Sequence, residues 1–206
     1  MMTKVVDASD ALRVGGNKRL SAIYALGLFA LFVFLHGVDM FHFCCVGDEL
    51  RESMEDVPDI YIAQRRWGIA VWKLIFGYGY LPYLNVLVFS LISTIAVLFQ
   101  LKLLEFRTLI AQIVYGLAYS VCPVWFTLIG ISHLADVFAL SMLCSTMGVY
   151  ALAQRDGIWS VLVACLFMLA AMSLYQTSVF YVATLWWAWY ICRRVRAADV
   201  SFWRES

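Results

Sequence analysis

The sequence predicts an all-α protein, a polytopic transmembrane helical bundle of about six spans plus an interfacial amphipathic helix after the first outer loop. Three observations carry that prediction. Apolar residues make up 64% of the 206 residues and charged residues only 14%, where a soluble domain carries about 25% charged. The charges are clumped, so several windows reach the ~20 mostly apolar residues that cross a ~30 Å hydrocarbon core. The basic residues favour alternate connections, which is the bias that sets orientation in a membrane. A soluble chain of this length could not bury all of those windows in one core.

Each element follows in turn. Residues 1–19 are polar, with Lys4, Arg13, Lys18 and Arg19 ahead of the first apolar run, and are expected to be a cytoplasmic segment. The run from Leu20 to Phe43 exceeds the roughly 7–15-residue core of a signal peptide and no small-residue cleavage site follows it. It reads as a signal anchor and first span. Residues 44–66 form a polar outer loop. Residues 67–80 (WGIAVWKLIFGYGY) are aromatic and half apolar, which suits a helix lying in the interface. Leu81 to Leu101 is the second span, followed by a turn with Lys102, Glu105 and Arg107.

The third span runs from Thr108 to Cys122, where Pro123 stops or kinks it. Val124 to Ser132 reads as an interfacial loop, and His133 to Ala153 as the fourth span, closed by Gln154-Arg155-Asp156. Ile158 to Cys192 is too long for one span. The polar interruption Ser173-Leu174-Tyr175-Gln176-Thr177-Ser178 divides it into two. The transmembrane domain is thus expected over 20–192, and 193–206 as a cytoplasmic tail.

Six spans with the N-terminus inside place eleven of the fifteen basic residues on the inner side. Only Arg51, Arg65, Arg66 and Lys73 fall outside, so both termini are expected in the cytoplasm. Eight of the fourteen acids (Asp39, Asp48, Glu49, Glu52, Glu55, Asp56, Asp59 and Asp136) lie outside, which gives an acidic outer surface. The net charge of +1, with no basic stripe interleaved with aromatics, excludes nucleic acid as a partner. Membrane lipids surround such a chain instead. Cys122, Cys144, Cys165 and Cys192 fall in apolar segments and read as small hydrophobes. Only Cys44 and Cys45 sit near a membrane edge, and no CxxC or Cys/His metal spacing exists.

The first outer loop, FCCVGDELRESMEDVPDIYIAQRRWG, holds the residues with the most chemistry. Asp48 and Glu49 follow the first span, and either carboxylate at headgroup depth could deprotonate a hydroxyl as general base. Arg65 and Arg66, just before Trp67, could hold a phosphate with a bidentate fork. The plain alternative is a solvated loop kept in water by its acids. His36, Asp39 and His42 recur at i, i+3 and i+6, and a divalent cation is the cofactor they could hold. As polar residues near a helix end they would need none. His133 and Asp136 open the fourth span on the same outer side, where ionisable groups face cavities and contact substrates. Tyr175 and Gln176 interrupt an apolar run, as a helix corner or as a lipid-phosphate or sugar contact.

An acidic pair after the first span, then Gln-x-Arg-Trp opening an amphipathic segment, then a late Tyr-Gln, resembles one family. In this chain the matching residues are Asp48-Glu49, Gln64-Arg65-Arg66-Trp67 and Ser173-Leu174-Tyr175-Gln176. The chain is similar to the bacterial O-antigen-modifying lipid-linked glucosyltransferases, multi-span enzymes of the GT-C class. The resemblance implies transfer of a hexose from a polyprenyl-phosphate carrier to a cell-surface glycan, as in lipopolysaccharide modification, on the outer face of the bacterial inner membrane. It also implies a catalytic carboxylate at Asp48 or Glu49. Where the family pattern has Asp-Asp, this chain has Asp48-Glu49; where Gly often precedes Arg-Trp, it has Arg65. Members are commonly about twice as long, so the resemblance implies an N-terminal half or truncated member, completed by a downstream polypeptide. The reading from another class is a non-catalytic membrane subunit that flips or presents the lipid-linked sugar, or an inactive remnant. A transporter places polar or broken helices near the midplane, whereas the polar residues here are expected at the outer edge.

Overall fold

The computed structural model describes residues 18–37, 66–76, 82–106, 108–122, 134–154 and 157–205. Among the described residues the secondary structure is entirely helical. Helices α1 (Lys18–His36), α2 (Trp67–Phe76), α3 (Pro82–Leu103), α4 (Leu109–Ser120), α5 (Ala135–Gln154), α6 (Ile158–Leu174) and α7 (Ser178–Glu205) follow in chain order. Two of them, α3 and α5, are long and apolar enough to cross a membrane; α1, α4 and α6 are apolar but shorter. Among the described residues the six expected spans are thus matched by two helices of full length. The twelve residues of α4 rise only about 18 Å at 1.5 Å per residue, short of a ~30 Å core. The first span was expected over Leu20 to Phe43; α1 covers it as far as His36, and residues 38–43 lie outside the described residues. Residues 193–205, expected as a tail, continue α7 as uninterrupted helix.

Local chemistry explains the boundaries. Pro82 opens α3, at a position where the missing N–H costs nothing. At the other end Glu105 adopts a left-handed conformation (φ 51°), and the Phe106 amide donates to the Leu101 carbonyl at 3.2 Å. That is a Schellman-type stop. Arg196 of α7 pairs with the Glu105 carboxylate and donates to the Leu104 carbonyl at 3.1 Å, so α7 is fastened to the end of α3. Thr108 caps α4, its hydroxyl accepting from the Ala111 amide at 3.3 Å. Gly157, at φ 129°, makes the turn into α6 in a conformation side chains rarely adopt. The corner after α6 lies where the polar interruption predicts it. Tyr175 is extended, and α7 begins at Ser178.

The core is built around the contact between α3 and α5. Phe89, Ile92, Val97 and Leu101 pack with Ala135 and Ala139 of α5 and with Leu28 and Phe32 of α1. Further along, Leu103 packs with Val149 and with Leu185 of α7. Gln100 donates to Thr146 at 3.2 Å. These pairs share a sequence offset of 46, so α3 and α5 run parallel, and α5 starts partway down α3. Polar residues are not confined to one edge, contrary to the sequence expectation. Gln100, Ser90, Ser93 and Thr94 of α3 and Ser141, Ser145 and Thr146 of α5 are all buried within the bundle.

Candidate functional site

At the start of α5 a notch opens between its first turns and the end of α6, and α2 fills it. Gly68 permits the approach. A Cβ there would lie 2.3 Å from the Ser173 hydroxyl and 2.9 Å from its carbonyl carbon, so any larger residue would push α2 outward. Ile69 then buries itself completely against Leu134, Val137, Phe138 and Leu174. Burying one such side chain contributes about 1.5–3 kcal/mol, enough to seat a helix of ten residues that is too short to persist alone.

Seating α2 brings two polar pairs together. One turn beyond Gly68, the Trp72 indole N–H donates to Oδ2 of Asp136 at 2.6 Å. Asp136 is 4% exposed and lies in the first turn of α5, where the helix dipole favours a carboxylate. Its second oxygen, Oδ1, is buried and has no hydrogen-bond partner among the described residues. At the head of α2, the Arg66 guanidinium lies over the Tyr175 ring, 5.4 Å from its centroid. The edge of Phe138 meets the same ring at 4.4 Å. A stacked guanidinium uses its face and leaves its N–H edge free to bind planar or tetrahedral oxyanions. Trp67 is exposed, and Gln176 is exposed in the turn after Tyr175.

Of the residues singled out in the sequence, Arg66, Trp67, Asp136, Tyr175 and Gln176 are therefore gathered around α2 and the α6–α7 corner. Asp48, Glu49, Gln64, Arg65 and His133 lie outside the described residues. So do Asp39 and His42; His36 is buried, its ring edge-on to Phe89 at 5.4 Å. Among the described residues no group of three His, Cys, Asp or Glu side chains could hold a metal. Cys122, Cys144, Cys165 and Cys192 are free thiols.

Several contributors were not singled out in the sequence. Trp72 and Gly68 looked like parts of an interfacial stripe. On α3, Asn85, Ser90 and Ser93 are buried, and Asn85 Nδ2, Ser90 Oγ and Ser93 Oγ have no hydrogen-bond partner among the described residues. The available signal was the polar residue inside an apolar span, which usually marks a functional surface. With the offset of 46, Ser90 stands level with Asp136, and Asn85 just over one turn nearer the start of α3.

Residues 37–203 match the family described as Glucosyl transferase GtrII, a stretch that includes all of α2 to α6 and nearly all of α7. The chain belongs to this family. No curated protein and no solved structure matches it. Membership makes it a glucosyltransferase-family chain, and the notch around α2 lies wholly within the matched residues. The site described above is therefore part of a glucosyltransferase domain.

Proposed function

We propose that this chain transfers a hexose, glucose or a close relative, from a polyprenyl-phosphate donor to a cell-surface glycan such as O-antigen. On this reading the protein is a six-span inner-membrane protein with both termini cytoplasmic, and the α2 end of the bundle faces outward. Family membership over residues 37–203 carries the proposal. The arrangement around α2 supports it, because a cation and a carboxylate approach the same notch from neighbouring elements.

Arg66, braced on Tyr175, and Arg65 beside it would hold the donor phosphate at the headgroup plane. Trp67, Gln64, His133 and Gln176 would line the approach. Asp48, with Glu49 beside it, would take the proton from an acceptor hydroxyl. The acceptor oxygen then bonds to the anomeric carbon as the bond from that carbon to the phosphate oxygen breaks, and the lipid phosphate leaves with the electron pair. Lipid phosphate is already a good leaving group, so one carboxylate suffices. The transfer assay includes the downstream polypeptide that would complete the enzyme. Replacing Asp48 by Asn should lower sugar transfer by about 10²–10⁴-fold, the usual effect of removing a general base, with normal accumulation in the membrane. Full transfer by both Asp48→Asn and Glu49→Gln would remove these carboxylates from the mechanism.

A further inference from the structure

We infer that Asp136, Ser90 and Asn85 form a hexose-hydroxyl subsite sunk into the bundle below the headgroup plane. The inference rests on the donor reading above and adds where, and by which groups, the sugar is recognised. Four buried side-chain atoms on two adjacent helices have no hydrogen-bond partner among the described residues: Asn85 Nδ2, Ser90 Oγ, Ser93 Oγ and Asp136 Oδ1. Such groups are rare in folded proteins, and each costs free energy unless something bonds to it. A buried carboxylate with one oxygen unbonded is the most costly of the set.

By the offset of 46, Asn85, Ser90 and Ser93 span about 12 Å along α3 at 1.5 Å per residue, and the level of Asp136 falls within that stretch. Ser90 stands level with Asp136, about 12 Å along α3 from its first residue at 1.5 Å per residue. Trp72 holds Oδ2 from one side, which fixes the carboxylate and leaves Oδ1 as the open acceptor. The chemistry of the set selects the ligand. Asn85 Nδ2 only donates, Asp136 Oδ1 only accepts, and the serine hydroxyls do both. A phosphate offers acceptors alone and would be repelled by Asp136. Among the described residues Asp136 belongs to no group of three His, Cys, Asp or Glu side chains of the kind a metal cation takes. A hexose presents hydroxyls that donate and accept, which suits this mixture.

The test uses the full chain in lipid nanodiscs and two probes, a short-chain polyprenyl phosphoglucose and the same polyprenyl phosphate without sugar. Wild-type protein should bind the glucose-bearing lipid more tightly. Ser90→Ala and Asp136→Asn should each weaken that binding, by about 10-fold to 100-fold for the charged acceptor, and leave affinity for the sugarless lipid unchanged. If Asp136→Asn does not accumulate, Ser90→Ala carries the test alone, since it removes a single oxygen. Equal losses for both lipids, or no loss for either, would overturn the subsite while the donor reading stands. Failure of the wild type to bind either lipid would overturn both.

Discussion

Gln100 and Asp136 are both buried polar side chains in the contact between α3 and α5, and their surroundings are opposite. The Gln100 amide donates to Thr146 and to the Tyr181 hydroxyl, and its carbonyl accepts from Tyr115 at 2.6 Å. Thr146 in turn donates to the Met142 carbonyl. The Gln100 side chain is thereby saturated, joining α3, α4, α5 and α7 in one network. Around Asp136 a single bond from Trp72 is made, and polar atoms on both helices are left over. A saturated network rigidifies a bundle and has little capacity for a ligand. An unsaturated one is less stable and available. The two helices therefore carry one polar cluster that holds them together and another whose unbonded atoms the proposed subsite would use.

The comparison breaks most readily at Gln100. Replacing it by Ala would strand the Tyr115 hydroxyl, take one partner each from Thr146 and Tyr181 and leave a cavity, and should lower stability by about 2–4 kcal/mol. Thermal unfolding in detergent would show it as a clear drop in midpoint. Loss of stability by less than half a kcal/mol would mean that the network is not holding the helices.

Gly68 gives the next largest effect. A methyl group there would overlap Ser173, and overpacking of this kind typically costs about 1–3 kcal/mol. Gly68→Ala should also displace α2 and release the Trp72 indole from Asp136, which tryptophan fluorescence would register as a shift in emission when compared with Trp72→Phe. Unchanged emission would mean that α2 tolerates the methyl in place.

The smallest effect is expected at the far end. Arg196 and Glu105 are partly exposed, at 26% and 57%, and such pairs contribute about 1 kcal/mol or less. Arg196→Ala should lower the unfolding midpoint slightly and leave lipid binding unaltered. A change in lipid affinity would connect the two ends of the contact, which the separate-cluster account does not allow.

Much of this was legible in the residues themselves. The second span was expected over Leu81–Leu101 and occurs as Pro82–Leu103, because its apolar run and flanking proline and lysine mark both ends. The corner at Ser173–Ser178 was legible because a polar stretch cannot continue a long apolar helix unaltered. Asp136 was legible as an ionisable residue opening an apolar segment. The parallel offset of 46 between α3 and α5 was not, since periodicity shows which face a helix buries but not against what. For the same reason Trp72 and Asp136, 64 residues apart, could not be paired, and Gly68 looked unremarkable until Ser173 was known to lie against it. The third span, expected over Thr108–Cys122, is described as the shorter helix Leu109–Ser120, because the Thr108 cap sets its start.

The most direct measurement of the central claim is the thermal stability of Asp136→Asn beside Gln100→Ala, each with and without the short-chain polyprenyl phosphoglucose. If the Asp136 cluster is held open at a cost in stability, the amide variant should unfold at or above the wild-type temperature without lipid, because a buried charge has been removed. It should also lose the rise in midpoint that the glucose-bearing lipid gives the wild type. Gln100→Ala should show the reverse, a lower starting midpoint with the lipid-induced rise retained. Asp136→Asn unfolding as early as Gln100→Ala, with its lipid response intact, would contradict the account.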